Sequence, residues 1–328
     1  MPVVQALRRR FPQWRIGLIT HPQLRELYAP EIADDDLLLV SPDDMRLAWR
    51  YPWRVRPWLR LVRNLHPEAI LLSYDQSTVA HLLGRFSSAR LRVGARFGMP
   101  FRRAGLTHPV EWRQGWSFAQ WHWEMARTLI AGLGQGEIPA QPPAPDLTHL
   151  TRGTVRVPGR VVIHPGAKTE MNRWPAERHA ELAARLVGHG AEVIWVKVTE
   201  AAVPVAAGVQ TMATGTVGDL VRLLASASLF VGNNSGPLHL ANAVGTPVVA
   251  VTGRAPSEWD PAWHREHVRV LRQPDLPCQP CERFDYLPRT CANTTEPLAC
   301  LRRCGVDSVE AVCLEMLSPR AAQPHPLS

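Results

Sequence analysis

Two stretches place chemistry-bearing residues where an apolar run hands over to a helical pattern. Residues 229–251 read LFVGNNSGPLHLANAVGTPVVAV, and residues 161–186 read VVIHPGAKTEMNRWPAERHAELAARL. In the first, Gly236 and Pro237 form a helix start that Asn234 or Ser235 is able to cap, with His239 one turn in. In a parallel sheet such a loop lies at the carboxyl edge, where free amides and the positive helix end attract anions. In the second, Lys168 and Arg173 sit on a glycine-containing loop ahead of Trp174-Pro175. They suit phosphate oxygens, Arg173 as a planar fork and Lys168 as a point charge. Taken alone, either stretch also reads as an ordinary strand-to-helix turn, and His239 as a packed histidine. Two such loops on one sheet edge point to a nucleotide-diphosphate site. Neither matches the Walker pattern or the dinucleotide glycine fingerprint, which speaks against a nicotinamide dehydrogenase.

The elements that must carry these loops are legible from periodicity. In the second half, apolar runs at 161–164, 192–196, 209–212, 229–231, 248–251 and 268–271 alternate with helical patterns at 175–187, 200–207, 217–227 and 237–244. That alternation predicts a parallel, doubly wound α/β sheet covered on both faces. The first half repeats it less cleanly, with strands near 15–19, 37–40, 69–73 and 91–94 and a helix over 120–132. The expected organisation is an acceptor-side domain over 1–140, a Pro-rich linker over 141–158 and a second domain over 159–328.

The 328 residues suit two domains of about 150 residues. Hydrophobic residues make up 45% and charged ones 20%, within the range of soluble globular proteins. No apolar run reaches the ~20 residues of a membrane span, and no signal peptide opens the sequence, so the expected location is the cytoplasm. A formal charge of +8 favours anionic ligands and surfaces, yet no nucleic-acid motif accompanies it, so nucleic acid is not expected as a partner. All six cysteines fall late in the chain: Cys278, Cys281, Cys291, Cys300, Cys304 and Cys313. The first four have spacing that suits zinc or an iron–sulfur cluster, with reduced structural thiols as the alternative.

Taken together, HPGA…RWP, Glu200 after the next strand, GNNSGPLHLANAVGTPVVAVTG and the tail LPCQPCERFDYLPRTC resemble glycosyltransferase family 9, the heptosyltransferases of lipopolysaccharide core assembly. The resemblance implies a GT-B fold, with two Rossmann-like domains facing across a cleft. It also implies inverting transfer from an ADP-sugar, typically ADP-heptose, to a lipid-linked saccharide acceptor, with no cofactor required. Ser235, Gly236, Pro237 and His239 match the pyrophosphate loop, and Glu200 matches the residue that holds the ribose. Lys168, Thr169, Arg173 and Asn234 complete the donor-binding set. Two departures stand out: the family usually has Asp where this chain has Asn234, and often Lys where it has Asn172. Transfer of another nucleotide-activated sugar is the alternative within enzymes, and a catalytically inactive sugar-nucleotide-binding protein the alternative outside them.

Family members also open with a strand and a Gly-Asp loop whose aspartate is expected to act as general base. This sequence starts at the following segment, MPVVQALRRRFPQWRI, so Met1 is expected to be an internal methionine of a longer protein and the catalytic residue remains unassigned. Asp75, at the end of a strand in the first half, is the acceptor-side candidate or a plain helix cap. Asp34-Asp35-Asp36 resembles a metal-binding motif but reads as a loop before Leu37. WRYPWRVRPWLRLVR (49–63) mixes arginine with tryptophan, as segments contacting a membrane surface do, although a solvated helix has the same composition.

Overall fold

The computed structural model of the chain describes residues 1–48, 50–72, 78–96, 105–198, 204–283 and 286–318. The chain divides into two compact units, Met1–Asp146 and Leu147–Ser328.

In the first unit, β1 (Leu18–Thr20) pairs in parallel with β2 (Leu37–Leu39), and β3 (Ala69–Leu72), β4 (Leu91–Ala95) and β5 (His108–Val110) form a second parallel sheet in that order. The strand expected at 15–19 begins only at Leu18, because its partner β2 begins at Leu37 after a 3-10 turn and offers residues 15–17 nothing to pair with; the Arg15 guanidinium grips the Asp36 carboxylate with both Nε and Nη2. Asp36 closes a 3-10 turn over Asp34–Asp36, and Arg25 takes Asp34, so two of the three aspartates are tied to arginines. Helices α1 (Pro2–Arg10), α2 (Arg56–Leu65), α3 (Thr78–Arg85) and α4 (Phe118–Gly132) accompany these strands. Trp58 of α2 is buried with Val40 and Ala48, against Leu38 of β2 and Val79 and Leu83 of α3. The Ser117 hydroxyl caps α4 at Gln120 N, and the helix buries Trp121, Trp123, Met125, Leu129 and Ile130. The indole of Trp123 donates to Pro139 O, and Gln5 bonds both backbone groups of Asp146, which ties residues 139–146 to the first unit.

The second unit is built on six parallel strands: β6 (Arg160–His164), β7 (Glu192–Val196), β8 (Gln210–Met212), β9 (Leu229–Asn233), β10 (Val248–Val251) and β11 (Val268–Leu271). Their spatial order is β11-β10-β9-β6-β7-β8. Strands rich in valine and isoleucine bury both faces. Val161, Ile163, Trp195, Val231 and Val249 face α5 (Ala176–Gly188) and, near the end of the chain, α8 (Val306–Leu317). Val162, Ile194, Phe230, Val248 and Ala250 face α6 (Val217–Ala225) and α7 (Gly236–Ala243). Each such side chain, fully buried, contributes on the order of 2 kcal/mol. Thr216 and Asp219 form a reciprocal capping box that fixes the start of α6. The helix expected over 200–207 is not seen in its described residues, 204–207. Pro204 removes an amide, and Gly208 turns the chain with φ near +90°.

Sheet order decides where a ligand fits. The chain leaves β6 toward β7 on one side and leaves β9 toward β10 on the other. The loops after β6 and β9 therefore flank the point where the direction of winding reverses, the usual ligand crevice of an open α/β sheet.

Candidate functional site

The two loops singled out by sequence are those two. Strands β6 and β9 are direct neighbours, with Val161 opposite Leu229 and His164 opposite Gly232. One residue joins their ends. Asn233, with no exposed surface, donates from Nδ2 to Pro165 O at 2.8 Å and Gly166 O at 3.2 Å, and its Oδ1 accepts from Trp174 N at 2.8 Å. A side-chain amide thus supplies the backbone partners that both ends of the 165–174 loop would otherwise lack. Trp174, also fully buried, donates its indole N–H to Cys304 O, anchoring the far end of the loop.

On that loop the Arg173 guanidinium donates to Ala167 O at 2.9 Å, which brings it back across the loop. Lys168 is exposed. The Thr169 hydroxyl and Asn172 Oδ1 are buried with no hydrogen-bond partner among the described residues. On the facing loop, Ser235 is the N-cap of α7 in extended conformation, and its side chain makes no cap bond. Pro237 has no amide to offer, and the amides of Ser235 and Gly236 find no backbone acceptor among the described residues. Gly236 is exposed, so these donors and the positive helix end are open to an anion. Burial pushes the His239 imidazole down to about 4, so it is neutral at physiological pH and offers a hydrogen bond rather than a charge.

A third segment closes on α7. Asn242, nearly fully buried, donates to Trp263 O and accepts from Trp263 N, holding the 254–264 loop against the helix. From that loop Asp260 Oδ1 accepts from Asn234 Nδ2 at 3.2 Å and from Arg272 at 2.5 Å. At the other end of the loop Gly253 lies against the first segment. A Cβ there would stand 2.2 Å from Met171 O.

The structure therefore brings the loop that carries Lys168, Thr169 and Arg173 beside the segment that carries Asn234, Ser235, Gly236, Pro237 and His239. Glu200 and Asp75 lie outside the described residues. Sequence reasoning missed Asn233, Asn242 and the Asp260–Arg272 pair. For Asn233 the signal was present: a polar residue ending an otherwise wholly apolar strand. Asp260 and Arg272 lie in stretches with no periodic pattern, and only folding pairs them.

Cys278, Cys281, Cys291 and Cys300 are half-buried free thiols, and Cys304 and Cys313 are buried in the core. Cys291 is engaged locally, its Sγ accepting from Leu298 N and approaching Asn293 O. Burial first, then the neighbouring thiols of Cys281 and Cys291, push Cys300 up to about 11. Among the described residues no three His, Cys, Asp or Glu side chains are grouped to hold a metal ion.

The second unit thus carries two polar loops at the point where the winding of its parallel sheet reverses. Residues 143–287 match the model of glycosyltransferase family 9 (heptosyltransferase). The fold of the chain is that of GT-B heptosyltransferase structures. Among solved structures it is similar to E. coli ADP-heptose lps heptosyltransferase II, at 18% identity and a TM-score of 0.65, covering 96% of this chain and 93% of that one. It is also similar to E. coli heptosyltransferase WaaC with ADP-2-deoxy-2-fluoro heptose, at 15% identity and a TM-score of 0.68, covering 96% and 94%. A third is the family 9 glycosyl transferase from Veillonella parvula, at 15% identity and a TM-score of 0.66, covering 96% and 92%. No match was found among curated protein sequences.

Proposed function

We propose that the protein transfers heptose from ADP-heptose to a lipopolysaccharide-core acceptor with inversion at the sugar, and that the β6/β9 crevice is its donor site. The observation that carries this reading is the pairing of two phosphate-suited loops through Asn233. One loop brings Lys168 and Arg173, and the other the free amides of Ser235 and Gly236. As the bond from sugar to diphosphate breaks, negative charge grows on the leaving oxygens. Amides and cations already fixed in place stabilise that charge without having to reorganise. Neutral His239 adds a hydrogen bond, and Glu200 is assigned to the ribose by its place in the sequence. WaaC, a protein of the same fold, has been captured with ADP, which supports a nucleotide-sugar donor.

The acceptor side belongs, on this reading, at the cytoplasmic face of the inner membrane. Trp53 is 57% exposed beside α2, whose Arg56, Arg60 and Arg63 are exposed as well, a composition suited to anionic headgroups. No described helix is long and apolar enough to cross a membrane.

Thermal-shift titration of the purified protein with ADP, ADP-heptose and UDP-sugars tests the donor. ADP and ADP-heptose are expected to raise the melting temperature with dose, and UDP-sugars not. A response to UDP-sugars alone would move the reading to another nucleotide-activated sugar. No response to any of them would refute the donor site. Heptose transfer to a core acceptor, followed by mass spectrometry with anomer analysis, then tests the reaction.

A further inference from the structure

Asn234 stands next to the free amides of α7, and its side chain does not face empty space. Its Nδ2 donates to Asp260 Oδ1, which also takes the Arg272 guanidinium. The arrangement is built. Arg272 bonds Pro256 O as well, and Asn242 clamps the backbone of Trp263, so the Asp260 loop is held to α7 from both sides. Asp260 nonetheless keeps about a fifth of its side chain exposed, and no bond to its Oδ2 is seen among the described residues.

A carboxylate beside a diphosphate site is at first sight misplaced, since like charges repel. Two features resolve this. The ion pair with Arg272 cancels the charge at short range while leaving the lone pairs of Oδ2 as acceptors. The chemistry that then suits Oδ2 is a hydroxyl donor, and in a sugar nucleotide the diphosphate carries a hydroxyl-bearing ring.

Resting on the donor-site reading, we propose that Asp260, held by Asn234 and Arg272, is the residue that recognises hydroxyl groups of the donor sugar. It acts as a specificity residue supplied by the loop after β10. Asp260 and Asn234 then form one unit, a carboxylate and an amide sharing a bond, in which the carboxylate sits on the outer partner.

The test compares a sugar nucleotide with the bare nucleotide. In Asp260→Asn the isosteric amide still accepts from Asn234 and Arg272, so the fold is kept, which its melting temperature checks. ADP affinity is expected to stay within about twofold of wild type, whereas ADP-heptose affinity falls by roughly 10- to 100-fold, the range for a lost hydrogen bond to a charged acceptor. Asn234→Asp alone sets two carboxylates about one hydrogen bond apart and should weaken ADP-heptose binding too. The double exchange Asn234→Asp/Asp260→Asn restores one carboxylate and one amide and is expected to recover at least part of the loss. Equal loss for ADP and ADP-heptose in Asp260→Asn, or no loss for either, overturns the proposal, as does a double exchange weaker than both single variants. Wild-type protein that binds neither nucleotide overturns the donor-site reading itself, and this inference with it.

Discussion

Replacing Asn233 is the sharpest perturbation of the proposed donor site, because one fully buried side chain makes three hydrogen bonds there. Asn233→Ala removes the partners of Trp174 N, Pro165 O and Gly166 O together. A buried group left unsatisfied costs about 1–3 kcal/mol, and the orphaned Trp174 amide has no second acceptor. The two carbonyls, each with a second lone pair, tolerate the loss better than an amide and add less than their full share. The expected loss is therefore about 3–5 kcal/mol, a fall of roughly 6–20 °C in melting temperature for a domain of this size. Urea unfolding with a tryptophan signal measures it directly. At a temperature where the variant is still folded, ADP affinity should fall more than about 10-fold, since the Lys168 and Arg173 loop is no longer tied to the Ser235 and Gly236 loop.

Asn233→Asp separates this reasoning from a simple loss of packing. The carboxyl keeps the shape and still accepts from Trp174 N, but turns an oxygen toward the carbonyls of Pro165 and Gly166. Only a protonated acid donates there, so its folded pKa lies above the unfolded value near 3.9. A raised folded pKa gives stability that is present at low pH and lost as pH rises through it. The variant should approach wild type near pH 4 and fall behind it by pH 8. A loss under about 1 kcal/mol in Asn233→Ala, or an Asn233→Asp variant whose deficit does not grow with pH, would refute the role assigned to this residue.

Three further outcomes are expected. His179, fully buried with its ring edge-on to Trp174, is held down to about 3 by burial, so it stays neutral in the fold while the unfolded chain takes up a proton below about 6.5. Its share of stability is present above that pH and is lost as pH falls toward 3, by at most roughly 1.4 kcal/mol per unit. His179→Leu should shallow the decline in urea-measured stability between pH 7 and 4, though not abolish it, because His122 and His239 are both held near 4; an unchanged slope counts against the assignment. Gly253→Ala forces a methyl onto Met171 O and should cost about 1–3 kcal/mol, with weaker ADP binding than wild type; wild-type values for both would show that the loops are not in contact. Cys300 and Cys304, both pushed up to about 11, should alkylate slowly at pH 8; alkylation as fast as that of an exposed thiol would count against their burial.

Much of this protein is written locally. Alternating apolar strands and helical patterns are short-range signals, so β6 through β11 and helices α5, α6 and α7 were legible within about two residues, whereas α8 was not expected. So was the pairing of Gly236 with Pro237 at a helix start. Where local signals conflict the reading slipped: Pro204 and Gly208 keep the described residues 204–207 out of an expected helix, and the 3-10 turn ahead of β2 left the expected start of β1 without a partner. Strand order is not local, because parallel pairing depends on which faces the crossovers bury. Only the placing of β9 beside β6 turned two loops some 60 residues apart into one crevice. The same holds for its fixings. Asn233 reaches carbonyls 67 and 68 residues earlier in the chain, and Asp260 takes Asn234 from one side and Arg272 from the other. Sequence determined which residues are suited to a diphosphate. Tertiary structure decided which of them meet, because hydrogen bonds are satisfied between groups that folding brings within about 3 Å, whatever their distance along the chain.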